Sequence, residues 1–187
     1  MVLLPIVSVV VIYAARIAEL RTKRDTVPGP IRERLSFQLF FVVGVLVLVG
    51  AILEYLLRGK GFHWVWFGAG WAVALASFWI RRRAISALGR FWSLHVEIRD
   101  THQFVQSGPF RWMRHPTYFS MILELLAVTL ILQAFVTMLL IPLLYFPALV
   151  FRLRLEEPAL VRKFGDAYRE YQRRVPALFP YKWPHSS

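Results

Sequence analysis

The sequence predicts an all-α, polytopic membrane protein of about five transmembrane helices, ending in a helical hairpin and a polar tail. Three observations carry this expectation. The 187 residues are 57% hydrophobic, with a mean hydropathy of +0.50, which suits a membrane protein better than a soluble domain. The apolar residues fall in runs of membrane length separated by basic segments. The net charge of +12, from 23 Lys and Arg against 11 Asp and Glu, therefore lies between the apolar runs. That placement points to membrane orientation and anionic headgroups. No nucleic-acid-binding motif is visible. With no cysteine in the chain, disulfides, thiolate metal sites and a cysteine nucleophile are excluded.

Residues 3–20 form the first apolar run, slightly short of the roughly 20 residues a spanning helix needs. The run lacks a basic leader and a small-residue cleavage site, so it reads as a retained helix. Residues 35–57 form the second span, with Glu54 near its end. Residues 64–80 form the third, and Trp64, Trp66, Trp71 and Trp79 suit a membrane interface. The last apolar region, 117–151, is too long for one span and short for two full ones. Gln133 lies near its middle, and Pro142 and Pro147 weaken its second half. A tight hairpin turning near residues 132–136 fits best. The chain then divides into three N-terminal spans, 1–88, and a chemistry-bearing part, 89–187.

Loop charges orient these spans. Arg21, Lys23, Arg24, Arg32 and Arg34 follow the first. Arg81, Arg82, Arg83, Arg90, Arg99, Arg111 and Arg114 follow the third. The tail carries Arg152, Arg154, Arg162, Lys163, Arg169, Arg173, Arg174 and Lys182, whereas only Arg58 and Lys60 separate spans two and three. The positive-inside rule puts the N-terminus outside and the C-terminus in the cytoplasm, which for a bacterial protein means the inner membrane. An odd number of spans satisfies that arrangement. Residues 81–116 and the tail then share the cytoplasmic face and bracket the hairpin. Within the tail, Leu160, Phe164, Tyr168 and Tyr171 recur at helical spacing over 156–171. Val175-Pro176 and Phe179-Pro180 end any helix there.

The segment 108–118, GPFRWMRHPTY, sits directly before the hairpin. Pro116 is suited to a first helical turn. His115 would lie at a helix start, where backbone N–H groups favour an anion. Arg114 adds a forked donor for a carboxylate or phosphate. The plainer reading is a basic anchor beside the membrane, and the tripeptide alone favours it. Arg152, Arg154, Glu156 and Glu157 form a second cluster, spaced as surface ion pairs on a helix. It gains weight from sharing a membrane face with His115. Glu124 is the one formal charge in residues 117–151, and an ionisable group inside a span is a functional candidate. Two readings of it stand side by side: a proton-linked or cation-binding role, and a carboxylate bonded between helices. Glu97, Asp100 and His102 read as a solvated loop, and no metal site is expected.

These pieces, in this order, resemble the isoprenylcysteine carboxyl methyltransferases and their bacterial and archaeal relatives. The resemblance covers residues 89–180. It rests on Gly108-Pro109-Phe110-Arg111, Arg114-His115-Pro116-Thr117-Tyr118, Arg152, Glu156-Glu157, Phe164-Gly165, Tyr168, Tyr171 and Arg174-Val175-Pro176. It implies an integral membrane methyltransferase using S-adenosylmethionine and releasing S-adenosylhomocysteine. The cofactor would sit on the cytoplasmic side, and a lipophilic acceptor would arrive from the bilayer. Glu124 is not part of the matched pattern.

Given that cofactor, Arg114 and His115 suit its carboxylate, beside Pro116 and Tyr118. Glu156 or Glu157 suits its ribose hydroxyls or ammonium. Tyr168, Tyr171, Phe164 and Leu160 suit an aromatic wall for adenine, and backbone between Val105 and Gly108 suits the purine edge. Arg152 resembles an arginine the family places near the acceptor. A carboxylate acceptor needs no general base, whereas an amine or phenol would call on Glu124 or His95. Alternatives to a carboxylate methyltransferase are a phospholipid or small-amine N-methyltransferase, a non-catalytic membrane interaction protein, and a nicotinamide-binding reductase of similar C-terminal shape.

Overall fold

The computed structural model describes residues 3–21, 31–32, 34–59, 62–89, 96–97 and 105–181. Lys23, Arg24, Lys60, Arg90, His95, Arg99, Asp100, His102 and Lys182 lie outside the described residues, as does the side chain of Glu97. The architecture is helical. Its elements are α1 (Leu3–Arg21), α2 (Arg34–Arg58), α3 (Trp64–Leu88), a 3-10 turn (Gly108–Arg111), α4 (Pro116–Ile131), α5 (Phe135–Met138), a π-helical turn (Ile141–Tyr145), α6 (Phe146–Phe164) and α7 (Asp166–Arg174). A two-residue antiparallel pair joins β1 (Ile31–Arg32) to β2 (Val96–Glu97), with Ile31 opposite Glu97. It pairs two residues between α1 and α2 with two between α3 and α4.

Among the described residues, two helical segments are long and apolar enough to cross a membrane, Gln38–Arg58 and Phe135–Phe164. Pro116–Ile131 is apolar but shorter. Helix α3 runs past the expected end at Ile80, through the arginine run to Leu88. Arginine is a good helix former, and Gly89 supplies the stop, with φ 51° and its N–H on the Ile85 carbonyl. At 25 residues, α3 is about 37 Å long and outruns a hydrocarbon core of about 30 Å.

The hairpin turns where the sequence places it. Gln133 takes the left-handed conformation (φ 52°), and the N–H of Ala134 bonds to the Thr129 carbonyl at 2.8 Å. Beyond the turn, Pro142 opens the π-helical segment and Pro147 lies in the first turn of α6. Each proline lacks an N–H and crowds the preceding turn, so the hydrogen-bond register slips without ending the helix. The apolar part of this helix ends at Phe151, and the polar residues from Arg152 onward project past it.

Helix α4 is the centre of the packing. One face meets α1, α2 and α3 around Ile12, Ala51, Ala74, Val128 and Ile131. The other meets Phe40, Val47, Ile141, Tyr145 and Leu149. Helices α3 and α4 approach closely at Gly70, where an added Cβ would stand 2.6 Å from Ile131 Cγ1 and 2.9 Å from the Ala127 carbonyl oxygen. Ser77 donates to the Ser120 carbonyl at 2.7 Å across the same interface. Glu54 caps the return half of the hairpin: its carboxylate accepts from the N–H of Val136 and from the N–H and hydroxyl of Thr137. Large apolar side chains such as Leu46, Leu57, Leu139 and Leu143 remain exposed, as a lipid-facing surface requires.

Candidate active site

The start of α4 is held by the tail at backbone level. Gly108 takes φ 59° to enter the 3-10 turn, a conformation that favours glycine. The N–H groups of Trp112 and Met113 return to the Pro109 carbonyl at 3.1 Å. Arg114 and His115 then lie beside the end of the tail, their N–H groups on the carbonyls of Pro176 (2.9 Å) and Ala177 (3.0 Å). Tyr171 adds a 2.6 Å hydrogen bond from its hydroxyl to the Phe110 carbonyl. The tail reaches this position because Gly165 (φ 59°) breaks the amphipathic helix expected over 156–171 into α6 and α7. The reversal buries Tyr168 and Tyr171 together, ring centroids 5.7 Å apart. Burial pushes both hydroxyls well above the usual tyrosine range.

Side chains then join the segment 114–118 to α6. Arg114 forms a bidentate pair with Glu157, Nε to Oε1 at 2.7 Å and Nη2 to Oε2 at 2.8 Å. Its Nη1 donates to the carbonyls of Gln172 (3.0 Å) and Val175 (2.5 Å). Glu157 also meets His115 Nε2 at 2.8 Å and Gln172 Nε2 at 2.6 Å. Burial raises the Glu157 pKa, but the hydrogen bonds from His115 and Arg114 outweigh it and hold the carboxyl at about 2.

A second chain of bonds runs alongside. Arg152 Nε donates to the Tyr118 hydroxyl at 2.6 Å, and that hydroxyl donates to Glu156 Oε2 at 2.7 Å. The ring of Tyr118 stacks on His115, centroids 5.7 Å apart. His115 is 5% exposed and Arg152 2%. Glu156 Oε1 stands 3.9 Å from His115 Nδ1, too far for a direct hydrogen bond.

The structure thus gathers His115, Pro116, Tyr118, Arg152, Glu156 and Glu157 at the open end of the hairpin, with Tyr168 and Tyr171 behind them. Val105 lies on the approach to the 3-10 turn and Gly108 opens it. Arg114 is placed differently from the expectation that it meets a ligand carboxylate: four of its N–H bonds go to Glu157 and two tail carbonyls. Glu124 stands apart from this centre. It pairs with Arg16 of α1, the interhelical arrangement of the two readings above. Sequence reasoning passed over Gln172 and saw Glu54 only as a charge near the end of a span. It also passed over the buried network of Arg16, Glu19 and Arg81. Arg16 and Glu19, charges three residues apart in an apolar run, were the available signal for that network. No group of three or more metal-ligating side chains forms among the described residues.

Fold and site define a helical membrane protein whose polar centre is closed by its own C-terminal tail. Residues 70–162 match the family model of the isoprenylcysteine carboxyl methyltransferase (ICMT) family. The uncharacterized protein YpbQ of Bacillus subtilis is 35% identical over 116 residues, 62% of this chain and 68% of that protein. The protein-S-isoprenylcysteine O-methyltransferase of Schizosaccharomyces pombe is 34% identical over 79 residues, 42% of this chain and 34% of that enzyme. The solved structure of a eukaryotic intramembrane Ras methyltransferase, ICMT, superposes with a TM-score of 0.62 at 25% identity, covering 73% of this chain and 52% of that one. The chain belongs to the isoprenylcysteine carboxyl methyltransferase family. It spans about half the length of the solved enzyme it matches.

Proposed function

We propose that the protein is a membrane-embedded methyltransferase that uses S-adenosylmethionine and methylates a lipophilic acceptor, an isoprenylcysteine-like carboxylate above all. The observation that carries this is the pairing of two adjacent carboxylates, Glu156 and Glu157, with His115 and Tyr118 at the hairpin end, in a chain of this family.

The donor set fits the cofactor. Glu156 Oε1 can accept from an ammonium or ribose hydroxyl, and His115 Nδ1 faces the same space. Tyr168 and Tyr171, themselves buried, back this space with aromatic rings, and Phe164 lies against Tyr168. Held by these residues, S-adenosylmethionine would supply an electrophilic methyl to a carboxylate oxygen, a transfer that would ask no proton of the protein. Most of the catalytic effect then falls to positioning and water exclusion. Arg152 orients an anionic acceptor and is itself aimed by Tyr118. Arg114 acts through Glu157, fixing that carboxylate and the tail that closes the site.

The same reading takes five spans, with α1, α3 and α4 joining the two candidate spans, an external N-terminus and a cytoplasmic tail. Residues 89–187 carry the chemistry, and 1–88 form the wall of spans around it. Calorimetry on the detergent-purified protein should show binding of S-adenosylhomocysteine, weakened about tenfold or more by His115→Ala. Incubating membranes with tritiated methyl donor should yield base-labile label, the mark of an ester. Base-stable label would instead indicate N-methylation, and no cofactor affinity would end the enzyme reading.

A further inference from the structure

A groove of about 540 Å³ lies between α6 and the tail beyond α7. Phe146, Val150, Phe179 and Tyr181 give it an apolar and aromatic wall, and Arg154 and Glu157 line it as charges. It is separate from the candidate active site. Val150 and Arg154 each lie two positions from Arg152, which turns them about 200° around α6 from it. Arg152 is buried against Tyr118, whereas Arg154 is exposed. Glu157 is common to both places, and its carboxylate is already taken by Arg114, His115 and Gln172. Arg154 forms no ion pair among the described residues. With Glu157 balanced by Arg114, the groove keeps one cation in surplus. That cation stands at a defined depth. The apolar part of α6 ends at Phe151, so Arg154 lies about 4.5 Å beyond it along the axis, and Phe146 and Val150 lie before it. Phe179 is 48% exposed and packs on Phe146, ring centroids 6.2 Å apart, and Tyr181 is 73% exposed. Exposed rings beside the end of an apolar helix are a mark of the membrane interface.

We propose that this groove binds an anionic phospholipid, its phosphate on Arg154 and one acyl chain against Phe146 and Val150. A guanidinium fork matches a phosphodiester, and its place at the end of an apolar wall selects a phosphate that carries a chain. A zwitterionic head would bring its own cation next to Arg154, and a net-negative head does not. A lipid held here touches α6 and the tail together, so its binding stabilises the docked tail. The site stands on the membrane character of the chain and on the groove, not on the methyltransferase reading.

Phosphatidylglycerol and phosphatidylcholine with identical acyl chains serve as probes. Native mass spectrometry of the full-length protein, released from maltoside detergent without cofactor, reads their retention. Phosphatidylglycerol should be retained at least about tenfold more tightly than phosphatidylcholine and should raise the melting temperature. Arg154→Gln should abolish the preference. Arg173→Gln, at an exposed arginine outside the groove, should preserve it. Equal retention of the two lipids by the unmodified protein overturns the proposal without recourse to any variant. An undiminished preference in Arg154→Gln protein whose lipid-free melt is normal also overturns it. Equal loss of preference in both variants would assign the effect to the general surface charge, and the site falls. If millimolar inorganic phosphate raises the melting temperature as much as phosphatidylglycerol does, the ligand is a free anion and the proposal fails. Retention that begins only when residues 182–187 are deleted would make the chain's own end the occupant, which also ends it.

Discussion

Glu157 shows how one side chain can be read wrongly from spacing and rightly from contacts. On a helix, Arg154 is its i−3 neighbour and the obvious partner. In the structure the carboxylate instead takes four hydrogen bonds, from Arg114, His115 and Gln172. Its folded pKa of about 2, against an ordinary 4.5, means the folded form favours the ionised carboxylate. The resulting stability is fully present above pH 4.5, shrinks as pH falls toward 2 and is gone below it. Glu157→Gln should therefore cost on the order of 3 kcal/mol at pH 7. In thermal melts of protein and variant, the gap should narrow steadily below about pH 4.5. A gap of constant size across that range would show that Glu157 contributes by shape and not by charge.

Two elements carry the geometry, and each depends on a glycine. The α3–α4 contact needs Gly70, because a Cβ would press on Ile131 and on the Ala127 backbone. Gly70→Ala should destabilise the bundle by about 1–3 kcal/mol through overpacking, read as a lower melting temperature. A neutral result would mean the two helices can separate freely. The α6–α7 break needs Gly165, whose positive φ turns Tyr168 and Tyr171 back under the start of α4. Gly165→Ala should cost about 1 kcal/mol in the same melts. It should also lower cofactor affinity, because the tail then docks less often. The hairpin itself, from Gln133 to the prolines, was legible from the apolar run and its interruptions. The π-helical segment was not, since the sequence shows that prolines disturb a helix without showing whether it ends or slips.

At the scale of the whole molecule, the absence of cysteine makes topology directly testable. A single cysteine at His63 should label with an impermeant maleimide in intact cells. One at Arg169 should label only after the membrane is opened, and the reverse pattern would invert the proposed orientation. The run lengths and the order of short motifs sufficed for helical class, hairpin and family, because each is a property of consecutive residues. Which polar residues meet was another matter. Spacing could not show that Arg114 is consumed by Glu157 and the tail, since those partners lie 43 to 61 positions away. Nor could it pair Glu124 with Arg16, or leave an N–H of Arg81 without an acceptor among the described residues. The sequence by itself determined the helical class, the apolar runs and which side chains are available for chemistry. Only the tertiary structure decided which of them neutralise one another and which remain open to a ligand, because in a low-dielectric interior that depends on distance and partner, not on order along the chain.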